Sequence, residues 1–217
     1  SDKWSTVINS MMDAYIGSVP DSVLWGEKFY TPGTFLQEYP LPFDKYLSLT
    51  SFSHHPFYSS FILEIPDNFS NGSFYNVPIN ELYEATLEAV RKGYSVAWDG
   101  DVSEKGFNAK EGLAIMSKNN DYPKAFEAPG EEMNATQQQR QEFFESLITT
   151  DDHLMHIVGM AKDQNGNNYF IVKNSWGEIG PYNGLLYMSE TYFKLKTVSV
   201  HFHRSALNKN LRKKWGM

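Results

Sequence analysis

A chain of 217 residues is long enough for one large domain or two small ones, with ample material for a core. Its 41% hydrophobic and 15% aromatic content excludes a disordered chain, and its formal charge of −7 argues against the basic face that nucleic-acid binding requires. The absence of cysteine excludes disulfides, iron–sulfur clusters and thiolate zinc sites, and leaves the redox compartment unread.

Taken in order, the start Ser1-Asp2-Lys3-Trp4 is polar, with neither an initiator methionine nor a signal-peptide core. It reads as a product of processing or truncation. Trp4 to Ile16 predicts an amphipathic helix: Trp4, Val7, Ile8, Met11, Met12, Tyr15 and Ile16 follow the i, i+3, i+4 rhythm, and Gly17 supplies a stop. Such a stripe is expected in the core. A short helix is expected at Thr31 to Leu36, with Thr31 as cap and Pro32 at the first helical position.

Residues 50–61 resist local assignment. His54 and His55 are adjacent, so on a strand they point to opposite faces and do not easily share a metal. Tyr58 to Ile65 reads as a strand. Pro78 to Lys92 is the clearest helix, with Leu82, Ala85, Ala89 and Val90 as its buried face, acidic residues early and basic ones at the end. Tyr94 to Trp98 then runs as a strand. Residues 103–134 read as long surface loops, and Ala135 to Ile148 as a second helix burying Phe143, Phe144, Leu147 and Ile148. From His153 the pattern changes to short strands. His153 to Ala161 pairs with Asn168 to Lys173 across a turn carrying Asn165-Gly166, a strong hairpin signal. Gly184 to Met188 and Val198 to Phe202 are further strands, with a helical turn at Glu190 to Leu195. The basic run Lys209 to Lys214 reads as a solvated helix end. No apolar run approaches the roughly 20 residues of a membrane span.

The chemistry centres on His153 and Asn174. A neutral histidine accepts a thiol or hydroxyl proton near neutral pH, provided one ring orientation is held by a hydrogen bond at the other nitrogen. An asparagine oxygen accepts that bond without adding charge. The two residues are 21 positions apart, a separation that a hairpin brings to contact. Trp176 is placed to cover them. Taken alone, a histidine and an asparagine on neighbouring strands are weak evidence. His156 competes for the base but lies on the opposite strand face. A zinc set of His153, His156, His201 and His203 lacks a fourth-ligand pattern and the His-Glu-x-x-His segment of metalloproteases.

The wider motif is more specific. Asp152-His153 with alternating apolar residues to Gly159, then Lys173-Asn174-Ser175-Trp176-Gly177 and Gly184-Leu185-Leu186-Tyr187-Met188, resembles the C-terminal domain of papain-like cysteine peptidases. Within them it is most similar to the bleomycin hydrolase or aminopeptidase C family. Tyr15-Ile16-Gly17-Ser18-Val19-Pro20, Tyr30-Thr31-Pro32, Tyr75-Asn76-Val77-Pro78-Ile79, and Trp98-Asp99-Gly100-Asp101-Val102 with Phe107-Asn108 follow the family's order.

The resemblance implies an α+β papain-like fold, C-terminal part only: a helical and loop-rich segment, 1–150, leading into an antiparallel β-barrel-like lobe, 151–217. It implies a cysteine-type aminopeptidase with His153 as catalytic base, Asn174 as orienting residue and Trp176 as shield. The Met217 carboxylate would pair with the substrate's α-amine. The implied partners are a peptide substrate and a homo-oligomer, without cofactor, metal, nucleic acid or membrane span; a bacterial source, cytoplasmic or periplasmic, goes with it. The departure is the nucleophile. No residue is cysteine, and Ser10 and Ser18 lack the surrounding motif. The expectation is therefore that the nucleophile lies in a missing N-terminal part of the parent, and that this chain alone does not turn over peptides. The alternative is a non-catalytic papain-fold binding or scaffold protein.

Overall fold

The computed structural model of the chain describes residues 3–122 and 124–216, which divide into two compact units between Phe43 and Asp44. In the first unit, helix α1 (Lys3–Ile16) ends where the Gly17 amide reaches Asp13 O at 3.0 Å, at a φ of +83° that suits a residue without Cβ. Its apolar stripe is not the core face the periodicity predicts. Trp4 is 69% and Tyr15 87% exposed, and α1 buries no residue. Amphipathic spacing creates the stripe, but burial needs a facing surface, and the described residues of its own unit supply none.

Strands β1 (Val23–Trp25) and β2 (Lys28–Tyr30) form a hairpin, followed by helix α2 (Pro32–Glu38). Thr31 caps α2 as the sequence predicts. Its Oγ1 accepts from Thr34 N at 3.2 Å, while Thr34 Oγ1 accepts from Thr31 N at 2.9 Å. Pro32 sits where a missing N–H leaves no bond unmade. Phe35, on α2, packs its ring 5.5 Å from Tyr30 and 4.9 Å from Tyr39, a small aromatic cluster in place of a larger core.

The second unit is organised by one open sheet. Its first elements are β3 (Tyr46–Thr50), β4 (Ser60–Ile62), β5 (Ser73–Asn76), α3 (Ile79–Arg91), β6 (Val96–Gly100), β7 (Phe107–Asn108), β8 (Leu113–Ala114) and α4 (Gln137–Glu145). There follow β9 (His153–Lys162), β10 (Asn168–Lys173), β11 (Leu185–Ser189), α5 (Glu190–Lys196), β12 (Thr197–His203) and α6 (Lys209–Lys214). The strand order is β4-β5-β3-β12-β6-β9-β10-β11-β8-β7. Pairs β3/β5 and β8/β11 are parallel and the others antiparallel. The α+β class holds, but β4 and β7 are free edges, so the expected barrel-like lobe is an open sheet.

Residues before position 150 carry more of this sheet than the sequence reading gave them. β6 lies between β12 and β9, so strands from both sides of residue 150 share one hydrogen-bonded layer. The stretch 103–134, expected as surface loop, pairs Leu113-Ala114 with β11 and buries Ala114, Ile115 and Met116. Only Ser60–Ile62 of the predicted 58–65 strand forms, because Tyr58 turns the chain at a φ of +65°.

The core lies where alternate residues of the central strands meet α3 and α5. Val96, Trp98, Ile157, Phe170, Val172 and Val200 pack with Leu82, Tyr83, Tyr192, Phe193 and Leu195. Burial of each such large apolar side chain contributes about 1.5–3 kcal/mol. Trp98 satisfies its indole by donating to Thr197 Oγ1 at 2.8 Å.

Helix α4 buries only part of the predicted face: Phe143 and Phe144 pack half-buried against the core, with the Phe144 ring 4.0 Å from Phe52, while Ile148 is exposed. Thr136 caps the helix, but Leu147 leaves the helical path at a φ of +57° and is 76% exposed. The residues buried are Arg140 and Gln141. Arg140 donates from Nε to Ser51 O at 2.6 Å and from Nη1 to Lys194 O at 2.9 Å, over the Phe52 ring at 4.6 Å. Burial lowers its pKa to about 9. It ties three segments together through backbone carbonyls, a role no hydrophobic periodicity announces. No helix among the described residues is long and apolar enough to cross a membrane.

Candidate active site

His153 opens β9 beside Gly100 of β6, and Asn174 directly follows the last residue of β10. Register makes the meeting possible. β9 and β10 pair antiparallel around the Asp163–Gly166 turn, so the start of one lies beside the end of the other. The turn is held by Asp163, which accepts from Asn165 N at 2.9 Å and Asn167 N at 2.8 Å.

His153 Nε2 lies 2.9 Å from Asn174 Oδ1, and the same oxygen accepts from Ser175 N at 2.7 Å. An amide hydrogen can only be met by oxygen, so the Asn174 side chain has one orientation. The proton of the His153–Asn174 bond then sits on Nε2, and Nδ1 keeps its lone pair. Asn174 is buried, and its Nδ2 has no partner among the described residues. The Trp176 ring stands 4.8 Å from the His153 ring at 40°, and Phe107 meets Trp176 edge-on at 6.0 Å. The structure therefore brings His153, Asn174 and Trp176 together. Met217 lies outside the described residues.

His156 points to the other sheet face and is exposed, in the row where Ala97 separates it from His201. His201 stacks on Tyr46 at 5.5 Å and His203 on Tyr94 at 5.4 Å, so the four histidines of the zinc alternative do not converge. Burial lowers the His201 pKa.

Two acidic groups flank the entrance to β9. Asp152 accepts from Val102 N at 2.9 Å, Ser103 Oγ at 2.6 Å and Thr150 Oγ1 at 3.1 Å, pinning the 102–103 loop to the residue before His153. Burial raises its pKa, but these bonds outweigh burial and hold it below the ordinary value. Asp99 behaves oppositely: burial, then the hydrogen bond with Asp151, push it up to about 8. The pair was present in the sequence as Trp98-Asp99-Gly100 and Asp151-Asp152, but only strand register places the two together.

His54 and His55, expected to diverge, converge. Their Nε2 atoms lie 3.2 Å and 2.9 Å from the two oxygens of Glu64. The tandem sits in a turn, where strand alternation does not apply. Gln141 decides the chemistry here. Its Oε1 accepts from Ser53 N at 2.6 Å, so its Nε2 faces His54 Nδ1 at 2.8 Å. His54 therefore carries its proton on Nε2, where a metal would need the lone pair. The trio satisfies itself as a hydrogen-bonded clamp.

Residues 22–216 match the model of the Peptidase C1-like family, and the chain belongs to that family. Its likeness to papain-like peptidases of the bleomycin hydrolase type holds along the sequence as well. Mouse bleomycin hydrolase is 32% identical over 121 residues, 54% of this chain and 25% of that protein, and the rat protein matches equally. PepW from Lactobacillus rhamnosis superposes with a TM-score of 0.72 at 19% identity, covering 98% of this chain and 50% of that one. The match thus spans half of PepW and a quarter of the curated relatives, while the fold is shared nearly throughout this chain.

Proposed function

We propose that these residues supply the base half of a cysteine aminopeptidase site, with the nucleophilic thiol contributed from outside the 217 residues. The observation that carries the reading is the His153 Nε2–Asn174 Oδ1 bond under Trp176, which leaves Nδ1 unprotonated. In the reaction, Nδ1 takes the thiol proton as sulfur attacks the peptide carbonyl. The resulting imidazolium returns that proton to the departing amine, and water then releases the acyl group with His153 again as base. Asn174 keeps the ring from rotating, and Trp176 keeps water from competing for the Asn174 oxygen. The Met217 carboxylate pairing with the substrate's α-amine is the finer part of the reading.

The rival, a non-catalytic papain-fold protein, is favoured by the zero cysteine count. The test uses the full polypeptide containing this chain, with aminoacyl and N-acetylated aminoacyl amidomethylcoumarins as substrates. We expect hydrolysis of the free-amine substrate, blocked by iodoacetamide, and loss of roughly 10²–10⁴-fold in His153→Ala. His156→Ala should stay near wild type. An inert parent with no thiol adduct would establish the rival, and loss in His156→Ala alone would refute the assignment of the base.

A further inference from the structure

At the far end of β9 from His153 lies a cavity of 370 Å³ that the proposed reaction does not use. Nine residue steps separate the two ends of the strand, about 30 Å at roughly 3.3 Å per residue. The cavity has a size typical of small-ligand sites.

Its walls are aromatic: Tyr169 from β10, Tyr187 from β11, Tyr182 from the loop before β11, and Phe126 from the segment before α4. Tyr182 and Tyr187 stand at 88° with centroids 4.8 Å apart, so two rings meet as a corner. The Tyr182 ring lies directly against Gly112, where a Cβ would come within 2.5 Å of it. Among the described residues, nothing hydrogen-bonds to the hydroxyls of Tyr169, Tyr182 or Tyr187.

The same cavity is anionic. Glu127, Glu131, Glu132 and Asp163 line it, against Lys162 as the one basic lining residue. Lys118 neutralises Glu131 at 2.7 Å, and Glu132 accepts from Met116 N and Ser189 Oγ, both at 2.7 Å. Asp163 is engaged in its own turn. Glu127, on the exposed rim, is left without a cation among the described residues. Burial first, then the charges of Glu132 and Asp163, push the Tyr169 phenol above its ordinary pKa. Ring faces and carboxylates favour the same ligand charge, because an aromatic face carries the negative part of its quadrupole.

We propose that this cavity binds an organic cation, an ammonium or guanidinium group on an apolar stem, lodged in the Tyr182–Tyr187 corner with Glu127 as its counter-charge. Such a group comes either from a free small molecule or from the lysine or arginine side chain of a peptide. The site lies apart from His153 and does not depend on the proposed peptidase reaction.

The test is calorimetric titration of the protein with choline, arginine amide and acetyl-Ala-Arg-Ala-amide, with 3,3-dimethylbutan-1-ol as choline's neutral isostere. All three cations should bind, and the isostere at least about tenfold more weakly than choline. Tyr182→Leu should weaken binding about two- to thirtyfold, the range of one cation–π contact. Glu127→Gln, on the exposed rim, should weaken it as well without touching the fold, and added salt should act in the same direction. Tighter binding of the peptide than of the free cations identifies a peptide side chain as the source; equal binding identifies the free cation. Equal binding of choline and its isostere, unchanged affinity in both variants, or no cation saturating by about 10 mM overturns the proposal.

Discussion

The oxygen of Asn174 is shared by two donors, His153 Nε2 at 2.9 Å and Ser175 N at 2.7 Å. The backbone donor is what gives the pair its direction. It forces oxygen towards the ring and so places the imidazole proton on Nε2, with Nδ1 free to accept. Nitrogen-15 NMR of the 217-residue chain at neutral pH should show the Nε2–H tautomer for His153. A dominant Nδ1–H tautomer would contradict the structure. Asn174→Ala should release that preference, and in the full polypeptide lower kcat/KM by roughly ten- to a hundredfold, less than removal of the base.

Gly100, the cross-strand neighbour of His153, has no room for a side chain. A Cβ there would lie 2.3 Å from Lys196 O and 2.4 Å from the Trp98 ring. The first atom belongs to backbone and the second to a fully buried indole, so neither gives way easily. Gly100→Ala is expected to destabilise the chain by about 3 kcal/mol or more, the upper end of overpacking. Gly130→Ala, where nothing lies within 4 Å, should change stability by less than about 0.5 kcal/mol. Urea denaturation midpoints check both, and equal effects would count against the packing around β6.

The sequence announces the His153–Gly177 hairpin because its signals are local: alternation along β9, an Asn-Gly turn, and one register that follows from both. The cap at Thr31 and the helix at 79–91 are legible for the same reason. What stays hidden depends on partners distant in sequence. The stripe of α1 has the spacing of a core helix, yet periodicity carries no information about what covers it. Leu113 to Met116 sits in a polar stretch, and it becomes core only because β8 pairs in parallel with β11. Arg140 and Lys196 carry no local sign of burial, because their carbonyl and carboxylate partners are distant in sequence. His54 and His55 converge because a turn, not a strand, holds them.

Lys196 is fully buried between Asp101 at 3.2 Å, Glu104 and the Ile148 carbonyl at 2.8 Å. Asp101 in turn accepts from Ser103 N at 2.8 Å, so this network braces the loop that Asp152 ties to His153. Replacing one member of a buried ion cluster leaves the others charged and unpaired. Lys196→Met should therefore lower stability by about 3–5 kcal/mol. Adding Asp101→Asn to Lys196→Met should recover part of that loss, because one stranded charge is removed. Strict additivity of the two substitutions in a double-mutant cycle would show that they do not interact.

Asp99 gives the fold a pH dependence of definite sign. Its carboxyl ionises near pH 8 in the folded chain, raised by burial and by its bond with Asp151, and near the ordinary carboxylate value of about 4 when unfolded. Between those values the folded state holds a proton that the unfolded state has released. Stability from this group is therefore full below about pH 4, falls as pH rises towards 8, and changes no further above it. Ser199 Oγ, 3.1 Å from Asp99 Oδ2, offsets a part of the effect by favouring the ionised form. The Asp151 Oδ2 atom, buried without a partner among the described residues, offers no relief. Asp99→Asn keeps the shape and removes the titration, so it should stabilise the chain at pH 8 relative to wild type and gain little or nothing at pH 5. Urea midpoints of both proteins at the two pH values decide it: an equal drop from pH 5 to pH 8 in wild type and variant would show that the Asp99 proton is not held by the fold.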